Sequence, residues 1–274
     1  YVESSLMWNL EQSYDDLVRK FMSAYYKDAA DYMYAYYEIM RDRYAYYQNI
    51  VSPESGGIYG DINTNLSTTG QLYVAGLIAL PYTTSVINNC KNSGAINISS
   101  AVSCGTCYVG SIGAYNPANL TISNCTATNN AEGKGITVGC DCTGTLYAGF
   151  MGKFYASNKK LSTNAITDCT NSTDLHVTSD FSCTSTCYPT LGMTDTVGSG
   201  WNAQTISNFH VSGDILFEGE AKGYFYAASM MGYWRSTNNS TYKLTMTNCS
   251  NSGNITVRGK LHKRPAVGGI MAYN

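Results

Sequence analysis

Residues 246–257 read Met-Thr-Asn-Cys-Ser-Asn-Ser-Gly-Asn-Ile-Thr-Val. This stretch decides the fold because both of its halves recur up the chain. Its opening returns as Ile206-Ser-Asn-Phe209, Ile166-Thr-Asp-Cys169, Ile122-Ser-Asn-Cys125 and Ile87-Asn-Asn-Cys90, at spacings of 40, 40, 44 and 35 residues. Its close, a Gly or Asp turn into a short alternating strand, returns as Gly213-Asp-Ile-Leu-Phe217, Asp174-Leu-His-Val177, Gly135-Ile-Thr-Val138 and Gly94-Ala-Ile-Asn-Ile98. Each unit then ends in an apolar strand rich in small residues, such as Tyr147-Ala-Gly-Phe-Met-Gly152 and Tyr226-Ala-Ala-Ser-Met-Met-Gly232. Tyr73-Val-Ala-Gly-Leu-Ile-Ala79 is an earlier copy of that last strand and implies a first, divergent coil.

Self-similarity at this period is the mark of a repeat architecture. Three short strands with Gly or Asn at their corners cannot bury their own apolar face, but stacked copies can. The expected fold is mainly β: a parallel β-helix solenoid of about six coils, three short strands per coil, preceded by one long N-terminal α-helix. The boundaries are 1–52 for the helix and 53–274 for the solenoid, with coils near 57–82, 83–116, 117–159, 160–197, 198–236 and 237–274. Asn89, Asn124, Asp168, Asn208 and Asn248 fall at one repeat position and should form a corner ladder of side-chain hydrogen bonds. An antiparallel sandwich would also give short strands, but not three different strands in one order five times.

With these motifs in view, the chain resembles the parallel β-helix class of pectin-lyase-like proteins. It resembles more closely the Asn-Cys-x-Asn-x-Gly-x-Ile and Gly-Gly-Ile-x-x-Tyr repeats of GLUG-like surface proteins of microbes. The resemblance covers residues 83–274 and implies a right-handed coil. Phe209 in place of Cys, Ala-Ser in place of Gly-Gly in the same coil, and Pro189 depart from it.

Composition limits the function. Of 274 residues 44% are hydrophobic, enough for a packed core, while only 13% are charged and the net charge is −2. Nucleic acid is therefore not an expected partner, and the longest apolar run, Tyr73 to Pro81, is far too short for a transmembrane helix. The start at Tyr1, ten cysteines and many Asn-x-Ser/Thr sequons are those expected of a secreted, extracellular or cell-surface chain whose leader has been removed. Candidate N-glycan carriers are Asn65, Asn97, Asn119, Asn171, Asn238, Asn239 and Asn254. Asn124 and Asn248 are poor candidates, because their sequons sit at strand ends.

Six cysteines form pairs between the second and third strands: Cys104 with Cys107, Cys140 with Cys142, and Cys183 with Cys187. Disulfide closure of loops is the ordinary reading, within a loop or between coils; zinc binding would need two pairs brought together as four ligands. Cys90, Cys125, Cys169 and Cys249 share the ladder position, where a Cys90 to Cys125 bridge competes with simple burial as small hydrophobes.

Residues 4–50 contain no Gly or Pro, and Leu10, Tyr14, Leu17, Phe21, Tyr25, Tyr32, Tyr36 and Tyr47 recur near helical spacing, with Tyr26 and Tyr37 on neighbouring faces. A straight helix of about 40 of these residues, roughly 60 Å long, would be about twice the height of six coils at about 4.8 Å each. Half of it would lack a partner within the chain, and these ten residues form the expected assembly interface. Together with a C-terminus inside a core-type strand, this predicts other copies of the chain as partners in a head-to-tail polymer. The leading expectation is a structural glycoprotein of an extracellular filament or surface appendage; a surface adhesin or carbohydrate-binding module and a polysaccharide lyase or hydrolase are the alternatives. No catalytic residue, metal ligand or cofactor site is assigned. The acids are scattered, and Asp174 and Asp214, at aligned turns, read first as turn caps and only second as a paired-carboxylate site.

Overall fold

The computed structural model describes residues 14–37, 57–58, 60–80, 85–116, 120–154, 162–195, 202–234 and 244–273. The chain forms two units, Tyr1–Ser52 and Pro53–Asn274.

The second unit is a parallel β-solenoid, with every strand pairing parallel and every neighbour contributed by the next coil. Its most regular sheet has six rungs: Ile62–Thr64, Ile96–Ile98, Ile136–Val138, Leu175–Val177, Ile215–Phe217 and Ile255–Val257. They stack in register, with Ile62, Ile96, Ile136, Leu175, Ile215 and Ile255 in one column. The first and third residue of each inner rung point into the core and the middle one points out, as a period of two requires. Two inward side chains contribute about 3–6 kcal/mol, far below the backbone entropy of ordering a coil at about 1–2 kcal/mol per residue. A coil is therefore stable only between neighbours.

The sheet before it turns a corner at the predicted ladder. Asn89, Asn124, Asp168, Asn208 and Asn248 all hold positive φ, between 50° and 56°, the left-handed region that Asn and Asp tolerate better than other side chains. Asn208 Nδ2 donates to Asp168 Oδ1 at 2.7 Å, and Asn248 Nδ2 to Asn208 Oδ1 at 2.6 Å. At the first step Asn124 Nδ2 reaches Asn88 Oδ1 instead, at 3.0 Å.

Two features differ from expectation. Where loops joining the second and third strands were expected, the structure has a further sheet of two-residue strands: Ser103–Cys104, Asp141–Cys142, Ser182–Cys183, Glu220–Ala221 and Lys260–Leu261. Among the described residues the first coil contributes none, so five coils take part in all four sheets and the first in three. The last sheet stacks Gln71–Ala75, Thr106–Asn116, Leu146–Phe154, Cys187–Pro189, Phe225–Ala228 and Pro265–Gly268. Its fourth strand is short and stops at Pro189, which has no N–H to give to a central ladder.

The first unit contains the expected helix, but not as a straight rod. Helix α1, Tyr14–Tyr26, gives way to a 3-10 turn at Lys27–Ala29, and the chain is helical again over 30–37. Lys27 has φ of 47°. The Arg19 guanidinium lies 3.7 Å from the centroid of the Tyr34 ring, whereas a continuous helix would separate residues 15 apart by about 22 Å. The two arms fold back on each other, and the comparison of helix length with solenoid height no longer supports assembly.

Candidate functional site

Five tyrosines form a column on the last sheet. Tyr73, Tyr108, Tyr147, Tyr188 and Tyr226 stack with centroid separations of 4.9, 5.0, 5.0 and 5.6 Å and interplanar angles of 18° or less. Parallel register makes this automatic, because equivalent side chains sit one rung apart. Burial raises the phenols of Tyr108, Tyr188 and Tyr226, with the neighbouring tyrosines adding to it. Lys153 Nζ lies 3.2 Å from Tyr147 Oη and 4.5 Å from its ring centroid.

The acids at the second-sheet turns hold the coils together. Asp61 Oδ1 accepts Ala95 N–H at 2.7 Å, Asp174 Oδ1 accepts Asp214 N–H at 2.8 Å, and Asp214 Oδ1 accepts Asn254 N–H at 2.7 Å. Asn129 Oδ1 plays the same part for Asp174 N–H. The Ala95 N–H, and after it the Asn130 amide, hold the Asp61 carboxyl below its ordinary range. Asp174 and Asp214 thus each cap the turn of the following coil.

A shallow groove of about 420 Å³ runs over the outer face of the second sheet, past Lys134, Thr137, Asp174, His176, Asp214 and Arg258. His176 Nε2 is 2.9 Å from Glu218 Oε2 at its edge, and His262 Nε2 is 2.9 Å from Glu220 Oε1. Both pairs span 42 residues, about one coil plus a two-residue step, a relation visible only once the coil length is known. No Tyr, Trp or Phe lines the groove among the described residues. Trp234 is buried, so its ring is not open to a sugar; Trp201 lies outside the described residues.

Among the cysteines, Cys183 and Cys187 are bonded within their loop. The other candidate disulfides are not formed. Cys90 and Cys125 are ladder rungs: Cys125 Sγ accepts Cys90 N–H and Cys169 Sγ accepts Cys125 N–H, each at 3.4 Å. Cys104, Cys107, Cys140 and Cys142 come together instead, all buried, with their four sulfurs within 4.8 Å of one another. Hydrogen bonds from Cys107, Cys140 and Cys142 hold the Cys104 thiol below the usual range, and Cys107 is held above it.

Of the glycan candidates, Asn65 and Asn97 are exposed. Asn254 is exposed, with Nδ2 donating to Asp214 Oδ1 at 3.1 Å. Asn171 is a correction. It is 1% exposed, its Nδ2 donates to Leu191 O at 2.6 Å and its Oδ1 accepts Thr173 N–H, so a glycan there would displace a core contact. Asn119, Asn238 and Asn239 lie outside the described residues, as do Leu10, Tyr47 and the side chains of Tyr14 and Leu17. On the helical segment Tyr25, Tyr32 and Tyr36 are exposed, and Phe21, Tyr26 and Tyr37 are half-buried.

Fold and ladders together define a parallel β-solenoid. Comparison with family models, with curated proteins and with solved structures finds no match. No described helix is long and apolar enough to cross a membrane.

Proposed function

We propose that this chain is a structural subunit of an extracellular or cell-surface assembly, in which copies associate through the tyrosines of the helical segment and the solenoid serves as a stiff spacer. The observation that carries this reading is the exposure of Tyr25, Tyr32 and Tyr36, at 70%, 81% and 58%. Tyrosine offers a wide apolar ring with few rotatable bonds, and clusters of such rings on a surface mark protein contacts. The stacked side-chain columns support the spacer role, since each coil is fixed by both neighbours. The Cys183–Cys187 disulfide fits an oxidising compartment, exposed Asn65 and Asn97 fit N-glycosylation, and the likeness to GLUG-like surface repeats points the same way. The test is the size distribution of the purified full chain by sedimentation and electron microscopy, with a Tyr32→Ser/Tyr36→Ser variant beside it. Ordered multimers that the variant fails to form are expected; a wild-type chain that stays monomeric at high concentration refutes the proposal.

The groove favours a second reading, binding of a polar polymer such as a glycan, through His176 and Arg258 on the second sheet. Saturable glycan binding that His176→Ala and Arg258→Ala both weaken would support it, and binding indifferent to both would exclude the groove.

A further inference from the structure

We propose that Cys104, Cys107, Cys140 and Cys142 together bind one divalent zinc ion, as a closed structural site that ties the second coil to the third. Two spacings meet here. Cys140-Asp-Cys142 places its cysteines two residues apart, so in extended chain both side chains leave on the same side, toward the core. Cys104-Gly-Thr-Cys107 has an odd spacing that would send its side chains to opposite faces of one strand. The chain turns between the Ser103–Cys104 and Thr106–Asn116 strands, and both sulfurs end up inside. Gly105 sits at that turn, where an added Cβ would meet Gly70 O at 2.6 Å. Gly144, beyond Cys142, is under the same restriction, since its added Cβ would run into Gly105 O.

The stacking brings the two pairs together. Cys104 and Cys142 are direct partners in the parallel register, Thr143 N–H donates to Cys104 O at 2.9 Å, and Cys107 N–H donates to Thr145 O at 2.9 Å. All four residues are 2% exposed or less. Cys104 Sγ is 3.2 Å from Cys142 Sγ, Cys140 Sγ is 3.5 Å from Cys142 Sγ, and none of the four sulfur atoms is more than 4.8 Å from another. A tetrahedral zinc with bonds of about 2.3 Å has sulfur–sulfur edges of about 3.8 Å, inside that range. Four thiol ligands suit a soft, redox-inert divalent cation better than a hard one. Binding releases the four thiol protons and leaves a tetrathiolate complex of net charge −2, its charge spread over polarisable sulfur; no electron is transferred. Because the ligands come from two coils, the site exists only when those coils are stacked, and zinc binding is coupled to folding there.

Oxidation competes for the same sulfurs and would give two further disulfides, so the experiment is built to tell the two apart. The full chain is purified without reductant, its zinc measured by elemental analysis, and its cysteines alkylated after denaturation with a chelator and counted by intact mass. One zinc per chain and eight alkylated cysteines are expected, with Cys183 and Cys187 alone protected. Four alkylated cysteines and no zinc would mean two disulfides and overturn the proposal; eight alkylated cysteines with no zinc retained after dialysis against zinc would also overturn it. Cys142→Ser should reduce the zinc content severalfold, while Cys249→Ser, on the cysteine ladder, should leave it at one per chain. Cobalt exchanged into the wild-type chain gives a readout that does not depend on the variant folding. A tetrahedral tetrathiolate cobalt spectrum is expected, and an octahedral aqueous one would count against the site.

Discussion

Asn208 Nδ2 donates to Asp168 Oδ1 at 2.7 Å across adjacent coils, and both residues hold left-handed backbone, with φ of 50° and 53°. The side chain that tolerates this backbone also supplies the bond between coils. Asn208 further accepts from Asn248 Nδ2 at 2.6 Å, so it bonds both neighbours. Asn208→Leu should lose both bonds, about 1–3 kcal/mol, and add about 1–2 kcal/mol of backbone strain. Asn208→Gly should lose only the first part. Lys222→Ala, which removes an exposed contact to Glu220 at 3.8 Å, should change stability by less than about 0.5 kcal/mol. Denaturant unfolding of the three variants checks the order; equal losses for Leu and Gly would remove the strain component.

The tyrosine column makes a prediction of similar kind but larger size. Tyr147 is stacked on Tyr108 and Tyr188 at 5.0 Å on either side. Tyr147→Ala should cost about 3–5 kcal/mol, the range for a large buried aromatic. Tyr147→Phe keeps both stacks and loses the 3.2 Å contact with Lys153 Nζ, for about 1.5–3 kcal/mol. If Ala and Phe prove equally mild in urea melts, the column is a by-product of register and contributes little.

Stability should fall at both ends of the pH scale, for opposite reasons. Burial raises the phenols of Tyr108, Tyr188 and Tyr226, so the folded chain holds their protons more tightly than the unfolded chain. Their contribution is complete below the ordinary tyrosine value of about 10 and is lost as pH rises from there toward the raised values. Asp61 is depressed, chiefly by the Ala95 N–H. Its contribution is present above the unfolded value and is lost as pH falls through the lower folded one. Tyrosinate absorbance should show these phenols ionising only as the fold opens, and Asp61→Asn should flatten the acid limb alone.

The sequence carried the solenoid because a rung repeats the same physical demand in each coil. Ile or Leu inward, a small turn residue and an Asn or Asp at the left-handed corner recur at nearly constant spacing, and the structure stacks them in register. The two-residue strands around Cys104 and Cys142 were not legible, since two residues carry no periodicity. Asn171 looked like any sequon; only its alignment with Asn92, also buried and bonded to a carbonyl, at Ser111 O, marks it as a corner pin. The four cysteines were visible as two pairs, but their convergence depends on a one-coil register that sequence spacing leaves open between 35 and 44 residues. The helical break was hidden for a different reason: Lys27 has no preference for left-handed backbone, and nothing local announces a turn there.

That break leads to the last prediction. Lys27 holds φ of 47° without the advantages of Gly or Asn, and Arg19 and Tyr34, on opposite sides of it, meet at 3.7 Å. Tyr34 is buried and also lies 5.9 Å from Tyr37, while Tyr32 is exposed. The tyrosines of this segment therefore divide into those that hold the two arms together and those that are free to meet another molecule. Lys27→Gly should stabilise the bent segment by about 1 kcal/mol, because glycine adopts this backbone without the Cβ clash. Arg19→Ala and Tyr34→Ala should each weaken it, by about 0.5–2 kcal/mol for the cation–π contact and by more for the buried ring. Tyr32→Ser should leave its melting unchanged. Far-UV circular dichroism of the full chain on heating, followed at the helical signal, reads all four. A straight continuous helix would give the reverse pattern: Lys27→Gly would lower helicity by glycine's propensity cost of about 1 kcal/mol, and Arg19→Ala would have no more effect than any exposed position.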